Sequence, residues 1–349
     1  MPELPAVLPG SAWSGRPPAG LVRVARGQYL RPTSQAEAWR RRREVSLARL
    51  VAVLRVCPAA VALSHESAAL LHGVAVRWQE PDVHVVQLTS SDRSSVELPR
   101  MDYADGTVRV LDGDRSSGPD AGRAVVLRRH VRSALPPGAI VTAHGLPVTD
   151  LMTTLVDCLT DLDPLSALIA GDGLARALVE PDRYHRRESD ARWTALRCEA
   201  AERIEELPRR QGKARARRLL PLLSPWSESW GESTLRFILL KAGLPVPLLQ
   251  LGTRTEDRLY FLDLALPGMR IAIEFDGRLK YVERDVLYEE KVREDALRAL
   301  GWSVVRVRTE QLRAPDVVVD MVLRAAARSG HQLALESRAW MGWRPRRRR

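Results

Sequence analysis

Three carboxylates in the last third of the chain have the spacing of a cation site on a β-sheet. The segment 271–276 reads IAIEFD, so its apolar residues alternate with Glu274 and Asp276. Because successive side chains of a strand point to opposite faces, these two carboxylates share one face. Asp263 lies in the preceding apolar segment, RLYFLDLAL, and a Pro-Gly turn separates the two segments. The pattern predicts two neighbouring strands that carry all three acids.

The length of the turn at Pro267-Gly268 determines the face on which Asp263 lies. A loop of two or four residues places Asp263 on the face of Glu274 and Asp276, whereas a loop of three residues places it on the opposite face. Pro-Gly suits the central positions of a type II turn, which favours an even-length loop. We therefore expect three carboxylates within roughly 5–8 Å of one another.

Carboxylates this close repel one another unless a cation neutralises them. Ligands that are all oxygen favour Mg²⁺ or Mn²⁺ over zinc, and such an ion can polarise a phosphodiester and activate a water molecule. The alternative interpretation is structural. In that case Asp276-Gly277 only makes a turn, and Glu274 forms a salt bridge with an arginine.

The elements that position these acids follow in the order α-β-β-β-α-β. The first helix begins at Ser227 or Ser229 and ends at Gly243, where two prolines stop it. The strands LLQLGT, RLYFLDLAL and RIAIEFDG come next. A helix near VLYEEKVREDALRAL then ends at Gly301, and WSVVRVR is the last strand. This order predicts an α/β fold in which helices flank a mixed sheet.

The run from Gly231 to about Arg328 resembles the "domain of unknown function 559" family. That family is related to very-short-patch repair endonucleases within the PD-(D/E)XK restriction-endonuclease-like superfamily. The matching segments are WGESTLR (230–236), FLDLALPGMRIAIEFDGRLKY (261–281) and EEKVREDALRALGWSVVRV (289–307), followed by a last strand and helix. They extend over about 100 of the 349 residues.

The resemblance implies a restriction-endonuclease-like core that cleaves phosphodiester bonds with Mg²⁺ or Mn²⁺. Asp263 and Glu274 would be metal ligands, and Asp276 would be a third ligand or lie just outside the ligands. Glu232, from the first helix, would be an auxiliary acid. The alternative for Glu232 is an acid that merely suits the N-terminal end of a helix.

One position departs from the superfamily pattern. The third motif expects a lysine two residues after the acid, and this chain has Asp276 there. Lys280 or Lys291 could supply the ammonium group that stabilises the pentavalent phosphate or positions the attacking water. In the alternative interpretation, Lys291 pairs with Asp295 one helical turn away and Lys280 is solvated.

The upstream part is predicted to be an α+β domain over residues 21–160, after a disordered segment 1–20. RVARGQY (23–29) resembles the wing of a winged-helix antitoxin domain of the AbiEi type. LSHESAALLHG (63–73) and HGLPVTDLMTTLVD (144–157) are similar to the region that links such a domain to a nuclease-like domain. The two helices that would enter a DNA groove are missing here, which argues against specific DNA reading by this end.

The net charge of +11 is concentrated in residues 1–50, 182–225 and 330–349. We interpret 161–225 as a basic helical connector that ends at Ser224-Pro225, 226–329 as the nuclease-like domain, and 330–349 as an Arg-rich disordered tail. Basic segments beside near-neutral domains favour a polyanion partner such as double-stranded DNA. The residues expected to bind it are Arg209, Arg210, Lys213, Arg215, Arg217, Arg218, Arg346, Arg347, Arg348 and Arg349.

The remaining composition favours a cytoplasmic protein with no membrane association. There is no run of eighteen apolar residues and no signal-peptide pattern at the start. The three cysteines lie far apart, which argues against a disulfide framework and against structural zinc. The seven histidines show no metal-binding spacing, and His65 and His72 are expected to pack or to face solvent.

Two functions from different classes follow. The first is a metal-dependent DNA endonuclease or nickase of the very-short-patch-repair-like type, acting in repair or in defence against mobile elements. The second is a non-catalytic, DNA-binding, antitoxin-like regulator whose nuclease fold is vestigial, with a toxin or another protein as partner. The missing lysine favours the regulator, whereas the three retained carboxylates favour the enzyme.

Overall fold

The protein is an α/β protein that divides into two compact units, Met1–Cys158 and Leu159–Arg349. The computed structural model describes residues 4–33, 37–89, 95–103, 107–110, 124–208, 212–255, 258–277, 284–333, 335 and 338–342. Within those ranges, no helix has the length and apolar character needed to cross a membrane.

The first unit is built on a six-stranded mixed sheet. Its elements are β1 (Val7–Pro9), β2 (Val22–Ala25), β3 (Gln28–Leu30), α1 (Ala38–Val56), β4 (Ala60–Leu63), α2 (His65–Leu71), β5 (Val83–Gln87), β6 (Ser95–Glu97), β7 (Met101–Asp102), β8 (Arg109–Val110), β9 (Val126–Val131), β10 (Ile140–Ala143), β11 (Leu146–Thr149) and α3 (Leu151–Asp161), which crosses the boundary between the units. The large sheet has the order β10-β11-β4-β5-β9-β6. A three-stranded sheet, β1-β3-β2, and the pair β7-β8 accompany it. Every residue of β5 is buried, which explains why its sequence, VHVVQ, lacks polar alternation.

The start of the chain differs from the predicted disorder over 1–20. Val7–Pro9 forms β1, pairs with β3, and buries Val7 in the core of the first unit. A proline ends this strand, as is tolerated at a sheet edge, and three residues are too few for an alternating pattern to be visible. Gly27, with a φ of 62°, makes the turn between β2 and β3.

The second unit contains a four-stranded mixed sheet with helices on both faces. Its elements are α4 (Pro164–Val179), α5 (Arg186–Glu206), α6 (Lys213–Leu219), α7 (Trp230–Ala242), β12 (Leu248–Arg254), β13 (Leu259–Leu266), β14 (Ile271–Asp276), α8 (Arg284–Ala299), β15 (Ser303–Arg308) and α9 (Pro315–Arg328). The sheet has the order β12-β13-β14-β15, and only the β14–β15 pair is parallel. The predicted order α-β-β-β-α-β is therefore present from α7 to β15.

The alternating strands bury different residues on the two faces. Ile271 and Ile273 of β14 pack in one core with side chains of α7 and α9. Ala272 packs on the other face with Leu297 of α8. Glu274 follows Ala272 by two residues, so strand alternation directs it toward α8.

The helices α4–α6 pack in the same unit as this sheet, whereas the sequence predicts a main boundary at Ser224-Pro225. A buried ion pair joins α4 to α7, with 2.6 Å between Arg236 Nη2 and Asp172 Oδ2. Ser233 Oγ also donates to Asp172 at 2.8 Å. A partner 64 residues away leaves no local pattern, which is why the sequence makes these helices resemble a connector.

The last residues also differ in part from the expected disordered tail. Arg338 donates its backbone N–H to the carbonyl of Lys241 at 2.9 Å. Met341 is buried within a short 3₁₀ turn, Ala339–Met341. Residues 343–349 lie outside the described part of the chain.

Candidate active site

The turn between β13 and β14 has the even length that the Pro-Gly sequence favours. Leu266 pairs with Ile271, so four residues form the loop. A 3₁₀ turn at Pro267–Met269 is followed by Arg270 in the left-handed region, with a φ of 52°. The antiparallel ladder continues through Ala265 and Ala272 to Leu264 and Ile273.

Asp263 is the residue just beyond the last backbone pair of this ladder, and its side chain contacts β14 instead. Its Oδ2 accepts a hydrogen bond of 3.1 Å from the backbone N–H of Phe275. On its other side, β14 stays paired with β15 as far as Asp276 and Arg308. The Asp263 carboxylate is therefore held against the segment of β14 that carries Glu274 and Asp276.

Glu274 is paired with an arginine, as the structural alternative anticipates. Arg293 of α8 donates from Nη2 to Glu274 Oε1 at 2.6 Å and to the carbonyl of Phe261 at 2.7 Å. Both side chains are largely buried, with 31% of Arg293 and 15% of Glu274 exposed. The same guanidinium thus links β13 and β14 to α8. The sequence did not single out Arg293, because its partner is 19 residues away.

Glu232 is both a cap and a desolvated acid. It is the third residue of α7, and the N-cap Ser229 accepts from its backbone N–H at 3.1 Å. In return, Glu232 accepts from Ser229 Oγ at 2.8 Å and from the Glu228 N–H at 2.9 Å, which makes a capping box. Burial, followed by the nearby Asp263 carboxylate, raises the pKa of Glu232 to about 7. Glu232 therefore connects the start of α7 electrostatically to the β13–β14 site.

The close approach of α7 to β14 depends on Gly231. A Cβ at that position would lie 2.0 Å from Cε1 of Phe275. The Trp230 ring meets the same phenyl ring edge-on, with 5.9 Å between centroids. Phe275 is also the residue whose amide holds Asp263, so this packing fixes the backbone at the site.

The other predicted site residues are placed differently. Asp276 is half-buried at the end of β14. Lys291 is exposed on α8, where Asp295 approaches Arg298 at 4.0 Å. Lys280 lies outside the described residues. In the part of the chain that the structure describes, Asp263, Glu274 and Asp276 are not a group of ligand atoms that all lie within 4.8 Å of one another. An ion would have to draw them together and displace Arg293 from Glu274.

The donor set nevertheless fits a hard divalent cation. Carboxylate oxygens are the ligands that Mg²⁺ and Mn²⁺ prefer. Burial is the main cause of the raised pKa of Glu232, and the nearby Asp263 carboxylate adds to it, so these two acids repel each other. A cation relieves such repulsion, which a purely apolar packing arrangement would not create.

The basic residues expected to bind DNA are partly engaged in contacts within the second unit. Arg215 donates to the Thr160 carbonyl at 2.6 Å, and burial lowers its pKa. Arg217 pairs with Glu205, and Lys213 donates to the Leu207 carbonyl at 2.9 Å. The Arg218 guanidinium lies 5.7 Å from the centroid of the Trp340 ring. The remaining expected contacts, Arg209, Arg210 and Arg346–Arg349, lie outside the described residues.

Three histidines that the sequence spacing does not group lie together in the first unit. His65, His84 and His130 bring one ring nitrogen each within 4.8 Å of one another, and His65 is buried, as the packing interpretation predicts. Their separations in sequence follow no local ligand motif, because the sheet brings them together. The local signal in the sequence is weak and consists of His84, a polar residue inside the fully buried strand β5.

Comparisons with known proteins give two relatives. The chain is 30% identical over 128 residues to uncharacterized proteins MT2308 and Rv2248, from two strains of Mycobacterium tuberculosis. The aligned stretch covers 36% of this chain and 47% of each relative, so the chain spans about half the length of the relatives that it matches. No protein-family model matches the chain. No solved structure matches it either. The functional argument therefore depends on the geometry of the site.

Proposed function

We propose that the second unit is a metal-dependent endonuclease or nickase that hydrolyses phosphodiester bonds in double-stranded DNA. The observation that supports this most directly is the Asp263 carboxylate, which the Phe275 amide holds against the strand of Glu274 and which lies close enough to the buried Glu232 for their charges to interact. Burying a carboxylate next to another carboxylate costs free energy, and the raised pKa of Glu232 reports that cost. Such costs accumulate at functional sites more often than elsewhere.

Each residue of the site has a distinct role in this proposal. Asp263 and Glu274 would hold Mg²⁺ or Mn²⁺, and Asp276, two residues after Glu274 on β14, would be a third ligand or bind a ligating water. When bound, the ion polarises the phosphodiester and makes water a better nucleophile. The Phe275 amide orients Asp263. Glu232, with a pKa near neutrality, can hold or release a proton beside it.

Arg293 supplies the cationic group that the Asp276 position lacks. In the structure it neutralises Glu274. With an ion held by Asp263 and Glu274, the Arg293 guanidinium would be available to a phosphate oxygen, for which its planar donors are suited. Arg293 thereby joins Lys280 and Lys291 as a candidate for the missing lysine of the third motif, and it contacts an expected metal ligand.

The DNA is expected to be bound electrostatically, by clustered arginines. The terminal Arg346–Arg349 run is one such cluster in the sequence. Arg215 is less suited, since it is half-buried and donates to the Thr160 carbonyl. The cytoplasm, which holds genomic DNA, is the compartment in which this activity would act.

A second candidate, the non-catalytic antitoxin-like regulator, is favoured by one specific observation. The Arg293–Glu274 ion pair already neutralises one expected ligand without any metal, and Asp276 stands where the superfamily has its catalytic lysine. A nuclease fold that had lost its chemistry would keep such a pair as a structural link. The toxin or other protein partner belongs to this second candidate.

Plasmid nicking separates the two candidates. The full chain is incubated with supercoiled plasmid and Mg²⁺ or Mn²⁺, and the nicked and linear products are measured over time. We expect metal-dependent nicking that falls about 100-fold or more in Asp263→Asn and Glu274→Gln, because the ion supplies several kcal/mol of transition-state stabilisation. DNA binding should change little. Both variants should remain folded without metal, with only the modest stability changes expected from losing the Glu274–Arg293 pair or the Asp263 charge beside Glu232.

Asp320→Asn is the matched control, since it removes one exposed carboxylate of α9 that pairs only with the neighbouring Arg324 in the ion pairs described. It should nick at the wild-type rate. Wild-type protein that neither nicks plasmid nor gains melting temperature in Mn²⁺ would support the regulator instead.

A further inference from the structure

Three histidines from separate elements of the first unit meet beside the six-stranded sheet. His65 is the first residue of α2, His84 lies in β5 and His130 lies in β9. The parallel β5–β9 register pairs Val86 with His130, which makes His84 and His130 diagonal neighbours on one face. The start of α2 is tied to the same strand, because Ser64 donates its backbone N–H to the carbonyl of His84 at 3.0 Å.

The three rings lie side by side, and each brings one nitrogen within 4.8 Å of the others. Ring centroids are 3.9 Å apart for His65 and His130, and 4.8 Å apart for His65 and His84. His84 Nδ1 and His130 Nε2 are hydrogen-bonded to each other at 3.0 Å. Zinc–nitrogen bonds of about 2.0–2.1 Å in a tetrahedron place two ligand nitrogens about 3.3 Å apart. A shared ion would therefore replace this hydrogen bond, with a shift of a few tenths of an ångström and a rotation of the stacked rings toward the ion.

Polar groups outside the cluster lie beside two of the rings. The Ser64 hydroxyl contacts His65 Nδ1 at 2.9 Å, and the buried Asp157 carboxylate lies within 4.8 Å of a ring nitrogen of His65. The buried Glu66 carboxylate lies 3.9 Å from His84 Nε2, while Nδ1 of that ring faces His130. Metal-binding histidines typically donate their second ring N–H to a carboxylate, a backbone carbonyl or a water, and a small shift would bring Glu66 into that role.

The backbone at the start of α2 is unusual, and it supports a role for this segment beyond capping the helix. His65 has a φ of 50°, a left-handed conformation that a non-glycine residue rarely adopts. Ser64 occupies the N-cap position of α2, yet its side chain makes no capping hydrogen bond and contacts His65 instead. Strained conformations of this kind persist where the surrounding structure holds them, and they concentrate at functional sites.

We propose that His65, His84 and His130 bind one Zn²⁺ ion, with Ser64 and Glu66 orienting the ligand rings. Three imidazoles suit zinc and its transition-metal neighbours rather than Mg²⁺. His65 and His84 are buried, whereas His130 is partly exposed and gives the ion a route from solvent. Three histidines leave the fourth tetrahedral position open to water, as in zinc sites that carry out chemistry. This site does not depend on the proposed nuclease activity.

Cobalt substitution tests the assignment without any assay of activity. Full-length protein is freed of metal with a chelator and titrated with Co²⁺, whose visible absorption reports a tetrahedral nitrogen site, and the Co²⁺ is then displaced with Zn²⁺. We expect one equivalent of either ion per chain. Mg²⁺ in large excess should not displace the Co²⁺.

Two ligand variants are chosen to preserve the fold. His65→Asn replaces the ligand with a residue that tolerates the left-handed backbone, and His130→Ala removes a ring that is already partly exposed. Each should weaken Zn²⁺ binding at least about tenfold, since loss of an orienting partner alone has that effect in metal sites. His331→Ala and Cys198→Ser remove an exposed histidine and the exposed cysteine, and both should bind Zn²⁺ as the wild type does.

Circular dichroism checks that each variant is folded. If His65→Asn does not fold, His130→Ala decides the question, since its ring lies at the edge of the cluster. Failure of the wild type to bind Co²⁺ and Zn²⁺ would overturn the proposal. So would equal Zn²⁺ affinity in the wild type and His130→Ala, because the ion would then lie elsewhere.

Discussion

Asp263 accepts a hydrogen bond from the backbone amide of Phe275, 12 residues later in the chain. The bond replaces the next backbone contact of the β13–β14 ladder with a carboxylate and holds that carboxylate against β14. Glu274 and Asp276 flank Phe275 in sequence, so one short segment of backbone positions all three acids. Glu274 is paired with Arg293 in the structure, and metal binding would require that pair to break.

Removing Arg293 should therefore strengthen binding of Mn²⁺. Arg293→Met leaves Glu274 without its cation, so the negative potential at Asp263 and Glu274 increases. We expect Mn²⁺ to raise the melting temperature at lower concentrations than in the wild type, since a ligand that binds only the folded state stabilises it in proportion to ln(1 + [L]/Kd). Without metal, loss of the partly buried pair should cost roughly 1 kcal/mol.

The matched control is Arg298→Met, which removes an exposed arginine of the same helix that pairs with Glu294 and Asp295. It should leave the Mn²⁺ midpoint unchanged. An Arg293→Met protein that responds to Mn²⁺ no better than the wild type would mean that Glu274 is not a ligand.

Glu232 should make stability fall as the pH rises toward neutrality. Its pKa is about 7 in the folded protein, against an ordinary value of 4.5. Between these values the folded state holds a proton that the unfolded state has lost. The associated stability is complete below about pH 4.5 and disappears as the pH rises through about 7. The difference between the two pKa values corresponds to roughly 3 kcal/mol.

Urea unfolding in EDTA from pH 4.5 to 8 measures this effect. Glu232→Gln should flatten the decline, because the amide does not titrate, while losing one cap bond at all pH values. Asp263→Asn should move the decline to lower pH, because it removes the neighbouring charge that raises the pKa of Glu232. Parallel curves for Glu232→Gln and the wild type would show that another group governs the slope.

Gly231 should tolerate no side chain unless Phe275 becomes smaller. Alanine is normally a better helix residue than glycine, yet a Cβ here would overlap the Phe275 ring at 2.0 Å. We expect Gly231→Ala to cost about 1–3 kcal/mol of unfolding free energy, the usual effect of overpacking. It should also weaken Mn²⁺ binding, because the Phe275 amide orients Asp263.

A second substitution tests the cause. Phe275→Leu in the Gly231→Ala background should restore part of the stability, whereas the two changes would simply add if the residues did not touch. Gly268→Ala is the control, since a Cβ there meets no atom within 4 Å. A similar cost for Gly231→Ala and Gly268→Ala would contradict the packing argument.

The sequence predicts best where the determinants are local. Three predicted features depend only on residues close in sequence, and each is present in the structure. They are the cap at Ser229, the end of α7 at Gly243 and the alternation of apolar and acidic residues in β14. Contacts across long stretches of chain are not visible in a single sequence. The sequence does not distinguish an arginine at the surface from an arginine that is buried in an ion pair. The pairs Arg293–Glu274 and Arg236–Asp172 are therefore not predicted.

The histidine cluster shows the same limit at a candidate site. His84 and His130 are 46 residues apart, and only the parallel pairing of β5 with β9 makes them neighbours. Parallel pairing depends on the topology of the whole sheet rather than on a turn. The left-handed conformation of His65 has no sequence signal either, since glycine or asparagine is the usual residue there.

The last prediction concerns the terminal arginines and the salt dependence of DNA binding. Changing Arg344 and Arg346–Arg349 to glutamine keeps the length of the chain and preserves the contacts of Arg338 and Met341, which pack in the second unit. If these arginines neutralise phosphates, each contact releases about 0.9 counterions. The slope of log K against log salt should then fall by about 2–4, and affinity should fall equally on unrelated duplexes.

The same five positions changed to lysine provide the control, since the charge remains while the planar guanidinium is lost. Fluorescence anisotropy across a salt titration measures both slopes. A glutamine variant with the wild-type slope would show that the tail does not contact DNA, and would leave the arginines of residues 1–50 and 182–225 as the binding surface.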